Sequence, residues 1–241
     1  MGRAARLAFA LLMVALLVPA APAYADGFWK VGESVKGRPI VAKRLGDPAA
    51  PFKVLVVGSI HGDERQGIRV VKRLRKYDPN GAKGVEFWTV RTSNPDGIAR
   101  GTRKNARGVD LNRNFPYRFD PDLDGGYNSG PGPASEPETR AVMRLSRQVK
   151  FDLAIWYHQP WGRTLAPCNG DRRWAFLYSR LSGLGLGGGC DRGRYPGSAV
   201  SWQHHVFGTT AFVVEFDAEI QPRATIKRHA RAVIRLAKRM R

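Results

Sequence analysis

Apolar positions along the chain fall into short runs separated by stretches of helical period. Residues 52–59 form a nearly continuous apolar run that ends in small residues, the pattern of a strand buried on both faces. The run opens into Ile60-His61-Gly62-Asp63-Glu64, after which Ile68, Val71 and Leu74 separate from Arg65, Arg69, Lys72, Arg73 and Arg75 at helical spacing. Residues 85–92 predict a second strand, and Asn94-Pro95-Asp96-Gly97 behind it has the residue types of a tight turn. Residues 151–157 predict a third strand ending at His158, and residues 210–216 a fourth carrying Glu215 near its end. A helix is predicted from Ser135-Glu136-Pro137-Glu138 to Val149, with Ser135 and Glu138 spaced as a capping box. Over residues 222–241 the cations occupy one helical side, and Ile226, Ala230, Val233, Ala237 and Met240 the other. Docking on the sheet explains that helix better than a membrane surface, because its apolar face has no Trp or Phe. Strands alternating with helices predict an α/β fold with a largely parallel sheet.

Composition supports a folded core: 43% of the 241 residues are hydrophobic, too many for a disordered chain. The 27 glycines have no period and two cysteines cannot staple a whole protein, which excludes collagen-like and disulfide-scaffold classes. The first 25 residues read separately. Arg3 and Arg6 precede a charge-free stretch over residues 7–18, followed by Pro19, Pro22 and an Ala23-Tyr24-Ala25 cleavage site. These are the parts of a signal peptide, too short to span a bilayer. Residues 1–25 are therefore expected to be removed, leaving residues 26–241 as a catalytic domain in the extracellular, periplasmic or cell-wall space, without a transmembrane segment. In that oxidising setting Cys168 and Cys190 are expected to pair. The net charge of +20, which is 20 − 2 or +18 once Arg3 and Arg6 leave with residues 1–25, favours association with anionic polymers, which outside the cytoplasm means wall polymers or anionic lipid. No nucleic-acid module is legible.

A catalytic zinc site uses three protein ligands and one open position, often two ligands close in sequence and one distant. His61 and Glu64 with His158 have this form, and both histidines follow apolar strands, where an unpaired polar group is costly. His204 and His205 are adjacent and His229 lies in the terminal helix, so neither set offers an equal geometry. Residues 101–116 concentrate guanidinium and amide groups suited to carboxylate recognition and oxyanion stabilisation. Asp120, Asp122, Asp124 and Gly125 imitate a calcium loop, but its twelfth position is Pro131 rather than Glu, so a polar surface loop is expected. The glycines over residues 183–189 read as a connection beside the pocket.

His61-Gly62-Asp63-Glu64, Asn94-Pro95-Asp96-Gly97, Arg103, residues 108–116, Ser135-Glu136-Pro137-Glu138, His158 and Glu215 together resemble, in order, the zinc carboxypeptidase family. The wording of residues 108–116 and of the Ser-Glu-Pro-Glu helix start is most similar to the bacterial murein peptide amidase branch. Enzymes of that branch hydrolyse the bond between γ-D-glutamate and diaminopimelate in cell-wall peptides. The resemblance implies a single-domain carboxypeptidase-like fold, a twisted, mixed and largely parallel sheet with helices on both faces. It implies one zinc per chain on His61, Glu64 and His158, with Glu215 as general base and then acid. Arg103 would polarise the scissile carbonyl, and Asn112 and Arg113 would clamp the free carboxylate of the departing residue. Tyr195 stands where the family's substrate-capping tyrosine is expected, although Pro196 departs from the digestive enzymes, and Trp202 is an alternative wall of the pocket. The implied partner is a peptide with a free C-terminal carboxylate, taken from the cell wall. Competing readings are a secreted carboxypeptidase of ordinary peptides, an N-acyl amino-acid deacylase, and a wall-binding protein without catalysis.

Overall fold

The computed structural model describes residues 23–24, 27–77, 83–123, 126–166, 171–187 and 195–241. Cys168, Cys190 and residues 1–22 lie outside the described residues, and so the expected disulfide and most of the expected signal segment do as well. The described elements are β1 (Ala23–Tyr24), β2 (Phe28–Glu33), β3 (Pro39–Gly46), β4 (Phe52–Val57), α1 (Gln66–Leu74), β5 (Val85–Val90), α2 (Pro95–Arg100), α3 (Pro137–Val149), β6 (Leu153–His158), β7 (Trp161–Leu165), α4 (Arg172–Ser182), α5 (Ala199–Phe207), β8 (Thr210–Asp217) and α6 (Arg223–Met240). A short 3-10 turn covers Leu111–Arg113.

The strands form one sheet in the order β1-β2-β3-β5-β4-β6-β8-β7. The four central strands pair in parallel, and antiparallel strands extend both flanks. This is the α/β architecture that the alternating elements predict, with the mixed sheet that the family resemblance implies. β4 and β6 are buried along most of their length because each faces a helical layer on both sides. Val54 and Val56 with Leu153, Ile155 and Tyr157 pack towards α1, α4 and α6, while Leu55 and Val57 with Ala154 and Trp156 pack towards α3 and α5. The two-residue period of a strand thus supplies two cores from one sequence. Ile226, Ala230, Val233 and Leu236 of α6 join the first core, so the basic amphipathic helix is docked on the sheet.

Several local expectations are corrected. Asn94 does not close an isolated tight turn; its side chain caps α2 by accepting from the Gly97 N–H at 2.8 Å. The capping box at α3 does not form. Glu136 is the N-cap, Pro137 opens the helix, and the Ser135 hydroxyl accepts from Asn114 and donates to Glu136. Glu138 instead accepts the N–H of Val35 at 3.0 Å. β2, β3, β7, α4 and α5 arise in segments that the apolar pattern leaves without an assignment.

The chain passes from β4 to β5 on one side, then returns to place β6 on the other side of β4. At such a reversal the connections leave the strand ends in opposite directions and open a crevice beyond their carboxyl ends. His61 and Glu64 follow β4, and His158 ends β6.

Candidate active site

Residues 58–64 carry the chain over the end of β4 before α1 begins. The passage is tight: a Cβ at Gly62 would sit 1.9 Å from the carbonyl carbon of Gly97, so only glycine lets the two segments touch. That contact fixes His61, which is buried, beside the equally buried Glu64. His61 Nδ1 lies 2.8 Å from Glu64 Oε1, and His158 Nδ1 lies 2.8 Å from Glu64 Oε2. The two Nδ1 atoms are 3.2 Å apart. Donor atoms of all three residues fall within 4.8 Å of one another.

Two imidazole nitrogens at this separation can share at most one proton, whereas a cation uses both lone pairs and the carboxylate together. The donor chemistry therefore fits a zinc ion, with nitrogen and carboxylate ligands from three side chains. Asp110 supplies the outer contact that such a ligand needs. Its Oδ1 lies 3.0 Å from His61 Nε2, on the far side of the ring from the other donors. Burial opposes the charge on each of these groups, but their mutual attraction outweighs it. Burial alone would lower the His61 pKa, yet Glu64 and Asp110 raise it. Against a raising effect of burial, His158 and His61 hold Glu64 well below the usual carboxylate range. Asp110 is likewise held low, by its hydrogen bond to His61 and by Arg103 and Arg113, although burial acts the other way.

The pairing of β6 with β8 sets His158 directly beside Glu215. Glu215 is buried, and its Oε2 has no partner among the described residues. Burial raises its pKa, His158 lowers it, and the nearby Glu64 raises it further, for a net upward shift. A carboxylate so placed is a stronger proton acceptor than an exposed one.

Arg103 reaches the same cluster, with Nη1 3.1 Å from Glu64 and Nε 2.9 Å from Asp110. Asn112 and Arg113 belong to the 3-10 turn that Asp110 caps through the Asn112 N–H at 2.9 Å. The Asn112 side-chain oxygen accepts from the Ala199 N–H at the start of α5, which leaves its amide nitrogen as the available donor. Arg113 is buried although charged, and its guanidinium lies 5.3 Å from the ring centre of Tyr195. Tyr195 is brought there by Gly197, whose N–H and carbonyl bond to Tyr117 and Phe115. A Cβ at Gly197, with φ of 62°, would meet the Arg113 carbonyl oxygen at 2.1 Å. Trp202 is not a pocket wall: it is 3% exposed and packs against Phe115 and Phe207.

All eight sequence-predicted residues thus converge on one end of the sheet, and two partners join them. Asp110 is one, and a buried carboxylate between Val109 and Leu111 was a usable signal, since it must find donors. Tyr127 is the other, with the Arg103 and Arg113 guanidiniums 5.5 and 4.8 Å from its ring centre. It stands among Gly, Asn and Ser residues and carried no sequence signal. The remaining histidines are committed elsewhere. His205 stacks on Tyr117, His204 faces the Thr209 carbonyl, and His229 bonds to Tyr178.

A mixed α/β sheet with a two-histidine, one-glutamate donor set at the carboxyl ends of parallel strands is the framework of a single-zinc site. The chain belongs to the zinc carboxypeptidase family, whose model it matches over residues 27–169. Murein peptide amidase A of Escherichia coli K12 is 32% identical over 153 residues, covering 57% of this chain and 61% of that protein. Carboxypeptidase SOL1 of Arabidopsis thaliana is 31% identical over 144 residues, 54% of this chain and 28% of that protein. The chain thus spans less than two thirds of the length of either relative. Among solved structures, the murein-tripeptide amidase of Escherichia coli O157 superposes with a TM-score of 0.70 at 25% identity, over 90% of this chain and 93% of that one. A carboxypeptidase A from Helicoverpa armigera shares the fold, with a TM-score of 0.72 at 15% identity over 88% of this chain and 67% of that one. Among the described residues no helix is long and apolar enough to cross a membrane.

Proposed function

We propose that the protein is an exported zinc carboxypeptidase/amidase that releases the C-terminal residue of peptidoglycan peptides by cleaving the γ-D-glutamyl-diaminopimelate bond. The observation that carries the hydrolytic part is the convergence of His61, Glu64 and His158 beside Glu215, whose Oε2 has no partner among the described residues. The likeness to murein peptide amidases supports the substrate, as does the basic charge for a source in an anionic wall. The apolar segment at residues 7–18 and the Ala23-Tyr24-Ala25 site support export.

Zinc held by His61, Glu64 and His158 would polarise the scissile carbonyl and lower the pKa of a water towards about 7. The chain's own groups do the rest. Glu215 takes a proton from the attacking water on Oε2 and later returns it to the departing amine. Arg103, still anchored on Asp110 by Nε, directs its Nη donors towards the oxyanion. Arg113 and the amide nitrogen of Asn112 hold the carboxylate of the departing residue, and Tyr195 closes over it beside Arg113. A carboxylate clamp next to the hydrolytic groups restricts cleavage to a terminal residue.

The test compares the zinc-loaded protein on L-alanyl-γ-D-glutamyl-diaminopimelate and on hydrophobic or basic C-terminal α-peptides. The expected result is release of diaminopimelate with the higher kcat/KM for the tripeptide. The reverse ranking would make it a carboxypeptidase of ordinary peptides, and cleavage of N-acyl amino acids alone would make it a deacylase.

A further inference from the structure

A groove of about 1040 Å³ opens between α3 and the flank of the sheet formed by β2, β3 and β5, and none of the metal donors, Glu215 or Arg113 lines it. Six cations, Lys30, Arg44, Lys53, Arg107, Arg140 and Arg144, line it with two carboxylates, Glu33 and Glu86; Lys30 pairs with Glu33, Arg44 with Glu86 and Arg107 with Glu136, which leaves Lys53, Arg140 and Arg144 without an ion pair among the described residues. Arg140, Arg144 and Gln148 stand at successive i+4 positions of α3 and form one polar stripe along the wall. The opposite wall is aromatic. Trp29 of β2 and Trp88 of β5 meet with ring centres 5.6 Å apart, and the Arg44 guanidinium of β3 lies 5.7 and 6.0 Å from the two. Trp88 is 7% exposed, and its indole N–H is buried without a partner among the described residues. Buried donors are almost always satisfied, so this one is a candidate for an acceptor that a ligand brings.

We propose that this groove binds an acidic glycan, a saccharide bearing a ring-linked carboxylate, of the kind formed by muramic-acid oligosaccharides. Half-buried Trp29 offers an apolar ring edge and face to a sugar. Arg140, whose Nη1 donates to the Ala134 and Ser135 carbonyls, and Arg144, whose Nη2 donates to the Val31 carbonyl, keep their other N–H groups for a carboxylate. Glu33, exposed beside Lys30, can accept a sugar hydroxyl, and its charge disfavours a polymer with a phosphate on every unit, which separates an acidic glycan from a nucleic acid. The volume is that of a site for a short oligosaccharide rather than a single ion. Muramic acid as the source rests on the wall-peptide reading of the active site; the groove's chemistry does not. A site here would hold the enzyme on the polymer whose peptides it trims, at a surface separate from the hydrolytic crevice.

Isothermal titration calorimetry on the purified, zinc-loaded protein tests the proposal with a peptide-free tetrasaccharide of alternating N-acetylglucosamine and N-acetylmuramic acid. Chitotetraose is the neutral control and oligo-dT the nucleic-acid competitor. The tetrasaccharide should bind at least tenfold more tightly than chitotetraose. The double variant Arg140→Glu, Arg144→Glu should weaken it at least tenfold, and Trp29→Ala should weaken both saccharides. Arg140 and Arg144 are exposed and do not belong to the hydrolytic crevice, so the double variant, verified as folded by circular dichroism, should keep its kcat/KM on the soluble tripeptide when zinc-loaded. No binding by the wild-type protein, equal binding by the double variant, equal affinity for chitotetraose, or displacement by lower concentrations of oligo-dT would each overturn the proposal. Glycan binding without tripeptide cleavage would instead refute the active-site reading and leave the groove standing.

Discussion

Asp110 governs how His61 meets the other donors. With the proton on Nε2, the 3.0 Å contact to Asp110 is a hydrogen bond, and Nδ1 presents its lone pair towards Glu64 and His158. Glu215 differs from these groups because its Oε2 has no partner among the described residues while burial raises its pKa, conditions that suit a base more than a structural ion pair. Glu215→Gln should keep the fold and bound zinc while kcat falls about 100- to 10,000-fold. Steady-state kinetics alongside metal analysis check this, and near-normal kcat would remove Glu215 from the reaction. Tyr127 acts on the two arginines together, since one ring lies against both guanidiniums. Exposed cation–π contacts are worth about 0.5–1 kcal/mol each, so Tyr127→Ala should lower kcat/KM about five- to thirtyfold. Tyr127→Phe, which keeps the ring face, should recover most of the loss. Equal losses in both variants would point to the hydroxyl instead. Glu64, His158 and Glu215 were legible in the sequence because they stand at or just beyond ends of apolar runs. Tyr127 was not, since a segment rich in Gly, Asn and Ser gives no periodicity from which to place a ring.

At the scale of elements, β6, α4 and α6 are joined beneath the site by a buried chain of polar groups. The Tyr157 and Tyr178 hydroxyls lie 2.6 Å apart, and the Tyr178 hydroxyl lies 2.9 Å from His229 Nδ1. Burial, reinforced by Arg228, pulls the His229 pKa down from 6.5 to about 3. The unfolded chain therefore takes up a proton below pH 6.5 that the folded chain refuses until about pH 3. Stability from this group is complete above the unfolded value and declines as the pH falls through that window, by about 2 kcal/mol at pH 5. Denaturant titrations of the wild type and His229→Gln at pH 7 and pH 5 should show a smaller pH effect in the variant by about that amount. An unchanged pH effect would show that His229 is protonated in the fold. The central strands were legible because a strand covered on both faces must be apolar throughout. β2, β3 and β7 were not. They flank the sheet, mix Lys or Arg with apolar residues, and owe their structure to pairing with neighbours rather than to local pattern. The capping box misled for a similar reason, because Asn114, 21 residues away, captured the Ser135 hydroxyl.

For the whole molecule, the topological reversal between β4 and β6 explains why residues 61, 64, 103, 110, 113, 158 and 215 can meet at all. Sequence order indicated the members of this set, but the order of strands in the sheet brought them within bonding distance. The charge of +20 is likewise more specific in the fold than in composition, since part of it gathers on the groove beside α3. The central claim is that the crevice at this reversal is a zinc site made by His61, Glu64 and His158. Elemental analysis of purified wild-type protein and of the His61→Ala, His158→Ala double variant tests it most directly, with circular dichroism to verify that both are folded. The account predicts one zinc per wild-type chain and none retained by the folded double variant, because two of three protein ligands are gone. One zinc per chain in that variant would contradict it and locate the metal elsewhere.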